Sequence, residues 1–110
     1  MFEYKAKLIK VIDGDTIDLE VDLGFNIIVR ERFRLARIDT PELRSGTDES
    51  KQKGLEAKNY LYGLFQKYQD TCTAKTEKTE KYGRWLVEVQ FPEGNASDLL
   101  VSNGYAVIWK

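Results

Sequence analysis

Three short stretches hold the side chains on which chemistry could be built. Asp13-Gly14-Asp15-Thr16 sets two acids around a glycine. Arg34 comes shortly before Asp39-Thr40-Pro41-Glu42, and Lys81-Tyr82-Gly83-Arg84 adds an ammonium, a phenol and a second guanidinium. Carboxylates without soft neighbours suit a hard cation such as Ca²⁺ or Mg²⁺, which takes its oxygens from acids, carbonyls and water. Asp15 and Asp39 fall on different expected strands, so they could meet across a sheet. Glu42 is a carboxylate able to take a proton, and Arg34 and Arg84 can each grip a planar set of oxygens bidentately. A hard metal, a base and two guanidiniums are together the parts needed to hydrolyse a phosphodiester. They neutralise charge, activate water and stabilise the pentavalent transition state.

Each stretch also has a plainer meaning. Asp-Gly alone is a strong hairpin signal, and only Asp15 exceeds what a turn needs. Arg34 could be the last of a solvated row with Arg30 and Arg32. Glu42 could be a loop carboxylate, and Lys81 to Arg84 a hairpin turn with an exposed arginine. It is the combination that is chemically coherent.

Composition narrows the classes. The chain has 110 residues, 42% hydrophobic and 32% charged, which fits one soluble globular domain over residues 1–110 with a single core. There is no histidine, so imidazole bases, His-containing triads and His-metal sites are excluded. The single cysteine, Cys72, has no partner within the chain and is expected as a small buried hydrophobe. Net charge is −1 and the pI about 5.5, so any affinity for nucleic acid must come from local patches. No apolar run is long enough to span a bilayer. Met1-Phe2-Glu3-Tyr4-Lys5 lacks the pattern of a secretory signal, which implies an intracellular chain or a trimmed secreted one.

The elements that must position these residues follow from periodicity. Tyr4 to Ile12 alternates and then breaks at Ile9, Val11 and Ile12, which predicts a strand with either a bulge or an end covered on both faces. Ile17 to Leu23 alternates four aliphatics with three acids, a strand with one wet face. Gly24 closes a hairpin into a long third strand, Asn26 to Ile38. There Ile27, Val29, Phe33 and Leu35 share one face, and Arg30, Arg32 and Arg34 the other. Pro41 is expected to end that strand, since it has no N–H and restricts Thr40. Leu43 to Gln52 shows no period and is expected as a loop. Ala57, Leu61, Leu64, Phe65 and Tyr68 form one stripe of a helix over 54–68. Thr71 to Thr76 and Trp85 to Phe91 predict two further strands. Asn95 or Ser97 caps a short helix ending near Ser102, with Gly104 just beyond it. Tyr105 to Trp109 is an apolar tail.

Val11-Ile12-Asp13-Gly14-Asp15-Thr16, Phe33-Arg34-Leu35 leading to Asp39-Thr40-Pro41-Glu42, and Lys81-Tyr82-Gly83-Arg84 resemble the staphylococcal nuclease (thermonuclease) family in order and separation. The resemblance implies an α+β fold, a five-stranded OB-fold barrel with three strands, a helix, two strands and a short helix. It also implies a Ca²⁺-dependent nuclease or endonuclease on DNA and RNA that leaves 3′-phosphates; single-stranded nucleic acid as the partner, no membrane and a monomer are the accompanying expectations. Through it, Asp15 and Asp39 become metal ligands, with Thr40 contributing its main-chain carbonyl. Glu42 becomes the general base, Arg34 and Arg84 the catalytic arginines, Lys81 and Tyr82 the holders of a terminal phosphate, and Asp13 an acid beside the metal. The rival is a barrel of the same kind that grips nucleic acid or protein without cutting, although such domains typically lose the acids or arginines kept here. The slightly acidic balance departs from the basic secreted members. The tyrosines of the family's C-terminal segment have no counterpart that can be placed before Lys110, and Trp109 is expected to pack rather than bind.

Overall fold

The computed structural model describes residues 2–41, 47–79 and 85–108. Five strands build the barrel: β1 (Phe2–Asp13), β2 (Thr16–Asp22), β3 (Ile28–Leu35), β4 (Thr71–Thr79) and β5 (Trp85–Phe91). Helix α1 (Asp48–Lys67) lies between β3 and β4, and α2 (Ala96–Ser102) follows β5. The strands run in the order β3-β2-β1-β4-β5 with antiparallel neighbours. A parallel pairing of Phe33–Leu35 with Trp85–Val87 closes the ring. This is the α+β five-stranded OB-type barrel expected from the sequence.

Alternation explains the interior. Ile17, Leu19 and Val21 on β2, Phe33 and Leu35 on β3, and Val87, Val89 and Phe91 on β5 all point inward and are buried. β1 keeps Ala6, Leu8 and Val11 in the core because its register shifts between Leu8 and Lys10. That bulge brings Val11 inward and leaves Ile9 facing solvent, so of the two readings the broken alternation allowed it is the bulge that the structure shows. Helix α1 lays Ala57, Leu61, Leu64 and Phe65 over one end, where the Phe65 ring meets Phe91 edge-on at 5.0 Å. Cys72 packs at the core margin, and burial pushes its thiol up to about 12.

Three expectations need correction. Helix α1 begins at Asp48, so residues 48–52 are helix and not loop. Thr47 caps it by accepting the Ser50 N–H at 3.1 Å, Asp48 and Glu49 occupy the first turn, and Lys53 pairs with Glu49. That turn is largely exposed, so it leaves no apolar period to find. β3 is shorter than expected, since it breaks at Ala36-Arg37 before Pro41 is reached, with Arg37 in the left-handed region at φ 71°. Ile27 and Val29 share the parity of Phe33 and Leu35 yet are exposed, because the β2–β3 hairpin runs past the barrel. Its tip is a tight turn in which Ile27 N–H donates to the Gly24 carbonyl at 2.9 Å. Phe25 and Asn26 are both left-handed there, at φ 54° and 63°.

Two short pairings complete the chain. Gly94–Asn95 folds back on Gln90–Phe91, and the Asn95 side chain caps α2. Val107–Ile108 runs antiparallel to Ile38–Asp39. The apolar tail therefore lies against the barrel, with Tyr105 stacked on Tyr60 at 4.7 Å. No helix among the described residues is long and apolar enough to cross a membrane.

Candidate active site

Cross-strand register decides which arginine becomes special. On the outer face of the β2–β3 hairpin, Glu20 faces Arg30, Asp18 faces Arg32, and Thr16 faces Arg34. The first two pairs are ion pairs, at 2.9 Å for Arg30 and 2.8 Å for Arg32. The hydrogen bond from Arg32 holds the Asp18 carboxyl below the usual carboxylate range, and Asp18 raises Arg32 in return. Arg34 meets a threonine where its neighbours meet acids, and it is only 7% exposed. A buried guanidinium requires charge compensation. It finds two acids outside the row: Nη2 lies 3.3 Å from Asp39 Oδ1 and 3.7 Å from Asp15 Oδ2.

Asp15 is fixed through both its main chain and its side chain. Its carbonyl accepts the Leu35 N–H at 2.8 Å, tying the β1–β2 turn to β3. Oδ1 accepts from the Thr16 hydroxyl at 3.1 Å, and Oδ2 from the Thr40 N–H at 3.3 Å. Gly14 lets this turn sit where it does. It does not adopt positive φ, so the Asp-Gly pair is not serving a left-handed turn. A Cβ there would lie 2.7 Å from the Cβ of Ala57 on α1 and 3.1 Å from both Cγ2 and Oγ1 of Thr40. The glycine is a matter of room.

Asp39 arrives by a different route. Ala36 N–H donates to the Val87 carbonyl at 2.9 Å, and the buried Ser97 hydroxyl donates to the Ala36 carbonyl at 2.9 Å. Arg37 then reaches Glu88 at 2.8 Å and Asp98 at 3.2 Å, and those carboxylates, Glu88 first, push its guanidinium up. The turn is thereby held to β5 and α2. Ile38 buries itself, and the next residue, Asp39, emerges half-exposed beside Arg34 and is paired through its backbone with Val107.

Arg34, Asp15, Asp39 and Thr40 are therefore brought together. Asp13 ends β1 opposite Thr16, and its charge reaches Arg32. Glu42, Lys81, Tyr82 and Arg84 lie outside the described residues, as does Trp109. Among the described residues no group of three or more acids or soft ligands gathers. The acceptors placed beside Arg34 are the carboxylates of Asp15 and Asp39, with the Thr40 main-chain N–H bonded to the first. Oxygen donors without a thiolate or imidazole suit a hard cation better than zinc. The positioning residues Arg37, Ser97 and Val107 were not anticipated. A cap at Asn95 or Ser97 and Gly104 beyond the end pointed to α2, with Asn95 the cap observed, but nothing in the sequence tied that helix to Ala36.

The sequence pattern of the staphylococcal nuclease homologue family matches residues 32–110. This chain belongs to that family. The match takes in Arg34, Asp39, Thr40 and Glu42, whereas Asp15 precedes it and joins the group by geometry. Endonuclease YhcR of Bacillus subtilis is 32% identical over 112 residues, covering 94% of this chain and 9% of its own length. An uncharacterized protein of Bacillus anthracis is 30% identical over 105 residues, covering 94% of this chain and 47% of its own. The chain thus spans half or less of these relatives. Within the staphylococcal nuclease homologue family it has a barrel of the expected topology.

Proposed function

We propose that this chain is a Ca²⁺-dependent nuclease that hydrolyses phosphodiester bonds of DNA and RNA, preferring single strands, and leaves 3′-phosphate ends. The observation that carries this reading is the buried Arg34 guanidinium, held between Asp15 and Asp39 from separate elements. Membership of a nuclease family and similarity to a protein named an endonuclease support it. Asp15 and Asp39, with the Thr40 carbonyl, would hold the cation, and Asp13 would add negative charge nearby. Bound there, Ca²⁺ would neutralise a phosphodiester oxygen and make the phosphorus more electrophilic.

The remaining steps belong to side chains. Glu42 accepts a proton from water, whose oxygen forms the new bond to phosphorus. The P–O5′ bond breaks, and the 5′ oxygen leaves with its electron pair and takes up a proton. Arg34 and Arg84 bind the phosphoryl oxygens as their charge grows, which is where preorganised donors contribute most. Lys81 and Tyr82 hold a terminal phosphate.

The test is cleavage of heat-denatured DNA at low salt by the wild type and by Asp39→Asn and Glu42→Gln. Each is assayed with Ca²⁺ and with a chelator. Cutting that needs Ca²⁺ and falls by at least about a hundredfold in Glu42→Gln supports the base assignment. Cutting that survives the chelator removes the metal from the scheme. DNA binding without cutting in the wild type replaces the enzyme with a binding module.

A further inference from the structure

The β2–β3 hairpin carries one side chain that the fold does not use. Phe25 is 97% exposed and sits at φ 54°, in the first central position of a turn whose second central residue, Asn26, has φ 63°. Turns with two left-handed central residues favour Asn, Asp or Gly, and a bulky side chain there is strained. Phe25 therefore weakens the turn while burying almost none of its ring. Strain without burial points to a contact outside the chain.

The surface leading away from Phe25 indicates what that contact is. Ile28, Arg30, Arg32 and Arg34 alternate onto one face of β3, with Ile28 about half exposed and Arg34 at the proposed phosphodiester site. Same-face side chains on a strand recur about every 6.6 Å, close to the distance between consecutive phosphates on an extended single strand. The Arg30 and Arg32 side chains are 72% and 56% exposed in their ion pairs. The Arg30 pair is of the exposed, weak kind, so a phosphate can compete for that guanidinium, whereas Arg32 keeps Asp18 through two bonds, at 2.8 and 3.2 Å, and offers a phosphate its remaining donors. From Arg34 to Ile28 the strand covers roughly 20 Å, and the turn that carries Phe25 lies beyond it. That is room for about four nucleotides, within the range an OB-type barrel binds.

We infer that a single-stranded nucleic acid runs along this face, with its phosphates over Arg32 and Arg30 and a distal base stacked on Phe25. The inference rests on the proposed nuclease function and extends that site away from the scissile bond. It makes the hairpin a device for holding long strands, one that a trinucleotide at the site would not reach.

The experiment uses Phe25→Asn, because Asn suits this turn and should leave the melting temperature unchanged or higher. Binding of a fluorescent single strand of about 12 nucleotides, and of a trinucleotide, is measured by anisotropy in chelator, where nothing is cut. Cleavage of both is then measured with Ca²⁺. The expected result is a Kd for the long strand weakened roughly tenfold, the size of one lost base stack, with the trinucleotide unaffected. Equal binding of the long strand by variant and wild type overturns the distal subsite, whether or not the protein cuts. A variant that binds normally but sediments as a smaller species overturns it too, by assigning Phe25 to contact between two copies. Failure of the wild type to cut either strand counts against the nuclease reading and leaves the anisotropy comparison to decide the subsite.

Discussion

Gly14→Ala tests how the site is held together, and its cost can be worked from three contacts. The added methyl would lie 2.7 Å from the Ala57 Cβ and 3.1 Å from Thr40 Cγ2 and Oγ1. The first neighbour is a short side chain fixed on the buried face of α1, so it cannot swing away. Inserting one methyl into packed surroundings costs about 1–3 kcal/mol. The loss of chain freedom in the unfolded state returns about 0.4–1 kcal/mol, because Gly14 is not in a left-handed conformation. The net expectation is a loss of about 1–2 kcal/mol, and for a domain of this size each kcal/mol lowers Tm by about 4–8 °C.

Thermal or urea unfolding followed by circular dichroism gives the number, and Ala57→Gly gives its cause. Ala57→Gly alone should cost about 1 kcal/mol through helix propensity, and somewhat more for the lost buried methyl. If Gly14 is kept for room, the double variant should be more stable than the sum of the two singles by about 1 kcal/mol or more. If Gly14 were kept for its backbone, opening space on α1 could not help, and the two losses would simply add. Additivity within error would refute the close-approach argument. The contacts to Thr40 remain in the double variant, so disturbance of the Thr40–Asp15 hydrogen bond should persist there.

Other expectations concern the scaffold around Asp39 and the far end of α1. Ser97→Ala removes a buried donor and strands the Ala36 carbonyl, which should cost about 1–3 kcal/mol in urea unfolding; a change below about 0.5 kcal/mol would mean that the turn before Asp39 is held by other contacts. Glu93 accepts hydrogen bonds from Lys67 at 3.0 Å and Tyr68 at 2.9 Å, and these, Lys67 first, hold its carboxyl below the ordinary glutamate value. A carboxylate lowered in this way stabilises the fold above its unfolded value and stops doing so as pH falls through the folded one. Glu93→Gln should therefore flatten the acid limb of the stability–pH curve, and a limb parallel to the wild type would show that the contact contributes nothing.

What could be read from the sequence, and what could not, follows from which forces leave a local pattern. Of the four alternating aliphatics from Ile17 to Leu23, the structure buries Ile17, Leu19 and Val21 on the inner face of β2 and leaves Leu23, just past its end, exposed. Ile27 and Val29 carry the same pattern, but parity reports a face and not how far the barrel extends along it. The first turn of α1 is stabilised by Thr47, Glu49 and Lys53 and hides little from water, so hydrophobic periodicity could not show it. Asp15 and Asp39 stood out by residue type, and their separate strands suggested that they could meet. Their partner contacts were another matter. The link from Ser97 to Ala36 and the pairing of Val107 with Asp39 join residues far apart in the chain, and nothing near either end of those contacts announces the other.

Arg34 shows how one register sets both a stable strand pair and the cluster of the candidate site. Side chains on a strand alternate, so a one-residue slip of β3 against β2 would turn Arg34 to the opposite face. A two-residue slip could instead place it opposite Asp18, giving it an ion pair like that of Arg32. Only the observed register sets Thr16 across from it and leaves its charge to Asp15 and Asp39. In a hairpin, register is fixed by the turn. Here that turn is closed by Ile27 N–H to the Gly24 carbonyl and by Leu23 N–H to the Ile27 carbonyl, both 2.9 Å. The strained, exposed tip therefore governs the site from the far end of β3. A substitution at Phe25 that keeps the turn should leave the Arg34 environment intact, whereas an insertion of one residue at the tip should abolish it.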